Sequence, residues 1–149
     1  MDGDLIDPVW LLQQMTAEEY DALPENQCRG IEVVDGMIRP HPSPLPLSSD
    51  IARRIAAAID ASGAPHWRSG MNLDLRLRNS PLLNRAPDVM VFRTTVDRHD
   101  RIPVSEVLAA IEVVDPWTES ADRRRGVGMF SGVATAHLSF PVEIDLTDV

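Results

Sequence analysis

The sequence predicts an α/β (α+β) domain, in which short strands alternate with about three helical stretches and a sheet is covered on at least one face. Three observations carry this. Ile31-Glu32-Val33-Val34, Val89-Met90-Val91-Phe92 and the run from Val107 to Val114 are strand-forming and largely apolar. Ile51, Ile55 and Ile59 recur at i, i+4 spacing and mark one helical stripe. Hydrophobic residues make up 44% and charged residues 25% of 149 positions, which suits one globular core and not a disordered chain.

The elements follow in order. Residues 1–14 read as an N-terminal extension and 15–149 as a single domain, short at its C-terminal end. Thr16-Ala17-Glu18-Glu19 is a capping box, and the helix it opens should stop near Leu23, because Pro24 disfavours helix in the residue before it. Ile31–Val34, the Asp35-Gly36 turn and Met37-Ile38 form a hairpin pattern. Residues 40–47 carry Pro40, Pro42, Pro44 and Pro46 and read as an extended loop. Ser48 or Ser49 then caps a helix running to Asp60 and stopped by Gly63. Leu73, Leu75 and Leu77 alternate with charged residues as in a half-buried strand, which Asn79-Ser80-Pro81 turns. Pro87-Asp88 introduces the strand Val89–Phe92, and Asp115-Pro116 ends the strand that begins at Val107. A helix is expected from Ser120 to Phe130, weakened by Gly126 and Gly128, and a last strand from Phe140 to Ile144.

Charge and composition remove several kinds of chemistry. All 14 basic residues are arginine, so Schiff-base catalysis, a P-loop lysine and a lysine general base are excluded. The net charge of -9 opposes binding of phosphate backbones unless metal ions or a local arginine patch offset it. Cys28 is the single cysteine, which rules out an internal disulfide and a cysteine-based zinc site. The acidic start Met1-Asp2-Gly3-Asp4 and the lack of a long apolar run lead us to expect no secretory signal, no membrane association and a cytoplasmic location.

Glu32, Asp88 and Glu112 are the informative residues. Each sits beside or inside an apolar strand, where an ionised carboxylate costs several kcal/mol unless it is paired or bound to metal. For Glu112, the sharpest case, the bland alternatives are an exposed edge strand, or a buried ion pair to an arginine such as Arg85. His41, His66, His99 and His137 lack metal-ligand spacing, and Trp10, Trp67 and Trp117 are too scattered for a base-stacking platform.

Four motifs occur in one order: Thr16 to Pro24, Ile31-Glu32-Val33-Val34-Asp35-Gly36, Arg85-Ala86-Pro87-Asp88-Val89 and Ile111-Glu112-Val113-Val114-Asp115-Pro116. In this the sequence resembles the bacterial Uma-two-type restriction endonucleases, a branch of the PD-(D/E)XK nuclease superfamily, from about residue 15 to 130. The resemblance implies a restriction-endonuclease-like central mixed β-sheet flanked by helices, a homodimer, and hydrolysis of DNA phosphodiester bonds with Mg²⁺ or Mn²⁺. By position it makes Asp88 and Glu112 metal-binding carboxylates, the Val113 carbonyl a further metal ligand, and Glu32 the family's first acid. Such hard oxygen ligands suit these ions.

The sequence departs from the family's pattern at the lysine. The superfamily places it two residues after the second acid, where Val114 stands here, and this branch supplies it in an Asp-Arg-x-x-Lys pattern. Asp122-Arg123 keeps the first half of that pattern, and Gly126 takes the lysine position. In the expected helix, i, i+3 spacing would put Arg123 on the face of residue 126, which makes it the candidate to hold phosphate, although arginine is too weak an acid to serve as a base. The rival expectations are a catalytically inactive nuclease-like homologue acting as a binding or assembly module, and a plain structural cluster of acids.

Overall fold

A computed structural model describes residues 13–41, 43–113, 132–137 and 141–146. In chain order the elements are α1 (Ala17–Asp21), α2 (Glu25–Cys28), β1 (Ile31–Val34), β2 (Met37–Pro40), α3 (Pro46–Gly63), β3 (Trp67–Met71), β4 (Leu75–Arg78), β5 (Leu83–Arg85), β6 (Val89–Arg93), β7 (Val107–Ile111), β8 (Gly132–His137) and β9 (Pro141–Leu146). The fold is α+β, as the strand and helix patterns predict, and every pairing among the described strands is antiparallel. Two compact units interleave along the chain. The first comprises Met1–Ser43 and Asp74–Ala86, the second Pro44–Leu73 and Pro87–Val149.

The first unit is built on a four-stranded sheet in the order β2-β1-β5-β4. Its hairpin closes as the sequence requires, because Asp35 (φ 52°) and Gly36 (φ 80°) both adopt the positive φ of a type I′ turn. The capping box of α1 forms in both directions. The Thr16 N–H donates to Glu19 Oε2 at 2.8 Å, and the Glu19 N–H donates to Thr16 Oγ1 at 3.2 Å. Helix α1 thereby presents Tyr20 to a core of Ile31, Val33, Ile38 and Leu82.

Tyr20 reaches that core with its hydroxyl satisfied. It donates to Asp74 Oδ1 at 2.8 Å, and Asn84 Nδ2 donates to the same oxygen. Arg76 completes the network, with Nε donating to Asn84 Oδ1 at 2.9 Å and its guanidinium lying 5.5 Å from the Tyr20 ring centre. Burial, and then the neighbouring Asp74 carboxylate, push the Tyr20 phenol well above its ordinary range.

The second unit packs α3 against a three-stranded sheet ordered β3-β6-β7. Ala52, Ile55, Ala56 and Ile59 meet Val89 and Val91 of β6, with Trp67, Met71, Ala109, Ile111 and Val113 around them. This places the odd-numbered residues of β6 on the helix side of the sheet. Ser69 ties β3 to the helix, since its N–H donates to Asp60 Oδ1 at 2.6 Å and its hydroxyl lies 3.1 Å from the Ala56 carbonyl. Strands β8 and β9 form a separate hairpin, in register from Gly132 opposite Leu146 to His137 opposite Pro141.

Several boundaries differ from those the sequence suggests. Helix α3 starts at Pro46, not at a serine cap. Proline is preorganised for the first helical position, where its missing N–H costs nothing, and Leu45 serves as N-cap without a side-chain bond. Strand β4 begins at Leu75, so the alternation starting at Leu73 is shorter than it looks. Strand β7 ends at Ile111, which leaves Glu112 one residue beyond it. The expected helix Ser120–Phe130 lies outside the described residues.

Candidate functional site

The sequence-predicted acids divide between the two units. Glu32 lies in the first unit, and Asp88, Glu112 and Val113 lie in the second. Arg123, with Val114 and Gly126, lies outside the described residues.

Asp88 immediately precedes β6, and Glu112 immediately follows β7. The β6–β7 register pairs Val89 with Ile111 and Met90 with Ala110, so one further step sets Asp88 opposite Glu112. Directly opposed residues of an antiparallel pair share a face. Val89, Ile111 and Val113 pack toward α3, so alternation puts Asp88 and Glu112 on the other face of the sheet. A third contact closes this end of the pair: the Val113 N–H donates to Asp88 Oδ2 at 2.6 Å. Asp88 is further fixed through its own carbonyl, which accepts from the Asn72 N–H at 3.3 Å. Asp88, Glu112 and Val113 are all half-buried.

The donor chemistry at this end is uniform. Two carboxylates and a main-chain carbonyl are hard oxygen ligands, and the Val113 amide occupies one Asp88 oxygen while leaving the other carboxylate oxygen without a hydrogen bond among the described residues. That set fits Mg²⁺ or Mn²⁺, which bind through one or two carboxylates and retain several waters. Among the described residues no group of three or more His, Cys, Asp or Glu side chains gathers as a metal cluster.

Glu32 has a different environment. It is 9% exposed on β1, its Oε1 accepts from the Ala86 N–H at 2.9 Å, and its Oε2 lies 3.1 Å from Arg85 Nε. His41 Nδ1 stands 3.9 Å from Oε1. Both carboxylate oxygens are therefore engaged within the first unit, and a buried acid so paired escapes most of its desolvation cost. Arg85, anticipated from the sequence as a partner for Glu112, lies against Glu32.

The first unit also carries an open cleft of about 550 Å³, lined by Thr16, Asp21, Gly36, Arg76 and Asn79 among others. None of the candidate acids lines it. Sequence reasoning missed Arg68 on β3, which shares the acids' face of the second unit's sheet. Nothing in Trp67-Arg68-Ser69-Gly70 marks it at the level of sequence.

An α+β domain of antiparallel strands with two acids at one strand end is consistent with a restriction-endonuclease-like domain, and it is the family match that assigns it there. The family model Uma2, whose description reads "Putative restriction endonuclease", matches residues 17–135, and the chain belongs to that family. No curated protein and no solved structure matches the chain. Among the described residues no helix is long and apolar enough to cross a membrane.

Proposed function

We propose that this chain is a divalent-metal-dependent endonuclease that hydrolyses DNA phosphodiester bonds at the Asp88–Glu112 end of the β6–β7 pair. The observation that carries the reading is the Val113 N–H bonded to Asp88 Oδ2, in a register that sets Asp88 opposite Glu112. It aligns one carboxylate, a second carboxylate and a main-chain segment on a single strand end.

Asp88, Glu112 and the Val113 carbonyl would hold the ion. When bound, Mg²⁺ or Mn²⁺ supplies a more acidic water and counter-charge for the phosphate. The chain's own residues do the rest. The Val113 amide keeps the Asp88 carboxylate from rotating, and the β6–β7 ladder fixes its spacing from Glu112. With no lysine in the chain, positive charge beside the phosphate comes from arginine, for which Arg123 is the family-position candidate. Arginine holds the phosphate and takes no proton, so the proton of the attacking water passes to a carboxylate or to solvent. From the family resemblance we further propose a homodimer, and a cytoplasmic setting is proposed from the sequence alone.

Nicking of supercoiled plasmid with Mg²⁺ or Mn²⁺ tests the reading, alongside calorimetric titration of Mn²⁺. Wild type should bind Mn²⁺ and nick, and Asp88→Ala should lose both. Absence of Mn²⁺ binding in wild type refutes the metal site. If nicking appears only in Gly126→Lys, the natural chain is an inactive homologue.

A further inference from the structure

We infer that Arg68 is a phosphate-binding residue for the nucleic-acid strand that enters the Asp88–Glu112 site, an inference that rests on the reading above and extends it to how the substrate is held. Arg68 lies opposite Phe92 in the β3–β6 register, and Asp88, Met90 and Phe92 alternate onto one face of β6. Arg68 therefore shares the face of Asp88 and Glu112, away from α3.

Its environment is what sets it apart. Arg29, Arg53, Arg76, Arg78, Arg85 and Arg93 each face a carboxylate. Arg68 faces none among the described residues, although it is half-buried in a chain with 23 acids. Its guanidinium carbon sits 5.7 Å from the Phe92 ring centre, a cation–π contact that fixes the plane of the group. Its Nε is buried with no hydrogen-bond partner, whereas the two terminal nitrogens, which also make no hydrogen bond to described residues, are not among the buried atoms. An arginine so held presents its terminal N–H groups outward as a fork, the geometry that takes a phosphate by two parallel hydrogen bonds. A half-buried cation without a counter-ion costs stability, and a phosphodiester anion supplies the missing charge.

Spacing identifies which phosphate. Arg68 is opposite Phe92, and Phe92 lies four residues from Asp88, or about 13 Å along an extended strand. That distance separates Arg68 from the scissile group and puts it on a phosphate a few nucleotides away on the same backbone. Arg68 is accordingly a binding residue, and its loss should act on affinity before chemistry.

The test is binding of a fluorescein-labelled 20-base-pair DNA duplex, measured by anisotropy without divalent metal across a series of NaCl concentrations. Arg68→Gln should weaken binding about 5- to 10-fold at fixed salt and lower the slope of log K against log[NaCl] by about 0.9, the signature of one lost phosphate contact. Arg68→Lys, which keeps charge but not the fork, should fall between the two. Thermal melting of each variant without DNA separates this from misfolding. Wild-type affinity and slope in a folded Arg68→Gln overturn the inference, as does a wild-type chain that binds no duplex. Arg68-dependent binding by a chain that never nicks plasmid would uphold the inference while refuting the nuclease reading.

Discussion

The single tyrosine of this chain offers a prediction that can be worked through from its surroundings. Tyr20 is 2% exposed, donates to Asp74 at 2.8 Å and has its phenol held far above the ordinary value of about 10 by burial and by that carboxylate. In the native chain the phenol stays protonated under conditions where the unfolded chain has lost its proton. The unfolded state then binds one proton fewer, so stability falls as pH rises above about 10, by about 1.4 kcal/mol per unit, and the contribution is intact below that pH. Tyr20→Phe removes this dependence together with a hydrogen bond to a charged group worth about 1.5–3 kcal/mol. The variant should be less stable at pH 8, and the gap should narrow by about 1.4 kcal/mol at pH 11. The window is unusually clean because no lysine titrates in it. Urea unfolding at the two pH values measures the gap, and tyrosinate absorbance follows Tyr20 alone. Tyrosinate appearing with a midpoint near 10 while the far-ultraviolet circular dichroism stays native would refute the buried, Asp74-bonded placement.

Three further outcomes follow from packing and pairing. Gly70→Ala places a Cβ 2.3 Å from Leu73 Cδ1 and 3.2 Å from Phe92 Cε1, and should cost about 1–3 kcal/mol in urea unfolding. Ile59→Ala opens a cavity under α3, where Ile59 is 1% exposed, and should cost about 2–5 kcal/mol with an unchanged m-value. Glu32→Gln keeps an acceptor for the Ala86 N–H but removes the charge opposite Arg85, so it should lower stability by about 2 kcal/mol. The double variant Glu32→Gln with Arg85→Met should recover part of that loss, which a double-mutant cycle measures.

What could be read in advance was local. The capping box at Thr16 and the Asp35-Gly36 turn are decided by residues within four positions of each other, and both form as the sequence implies. Strand β3 was invisible because Trp67-Arg68-Ser69-Gly70-Met71 includes serine and glycine, which disfavour strands in isolation. Its pairing with the apolar β6 overrides that preference. The three-residue β5 is likewise a strand only through its neighbours β1 and β4. At the candidate site, the acids were legible as misfits in apolar runs, but their surroundings were not. Sequence spacing cannot tell that Glu32 is met by Arg85 and Ala86, or that Asp88 is met by the Val113 amide, since these contacts span 54 and 25 positions of chain. Arg68 went unnoticed for the same reason: its significance is a missing partner, which only packing reveals.

The interleaving of the two units has a consequence for how the protein is made. The first unit needs β4 and β5 beside β1, so its sheet stays incomplete on the ribosome until residue 86 has emerged, by which time α3 and β3 are already synthesised. Helix α3 in turn waits for β6 to receive its apolar stripe. The second unit cannot close until the first has all its strands, and the non-local closure slows folding relative to a chain of sequential hairpins. No single cleavage point releases a whole unit, so deletion boundaries placed at residue 43 or 73 should yield fragments that aggregate, each lacking strands that its remaining sheet requires.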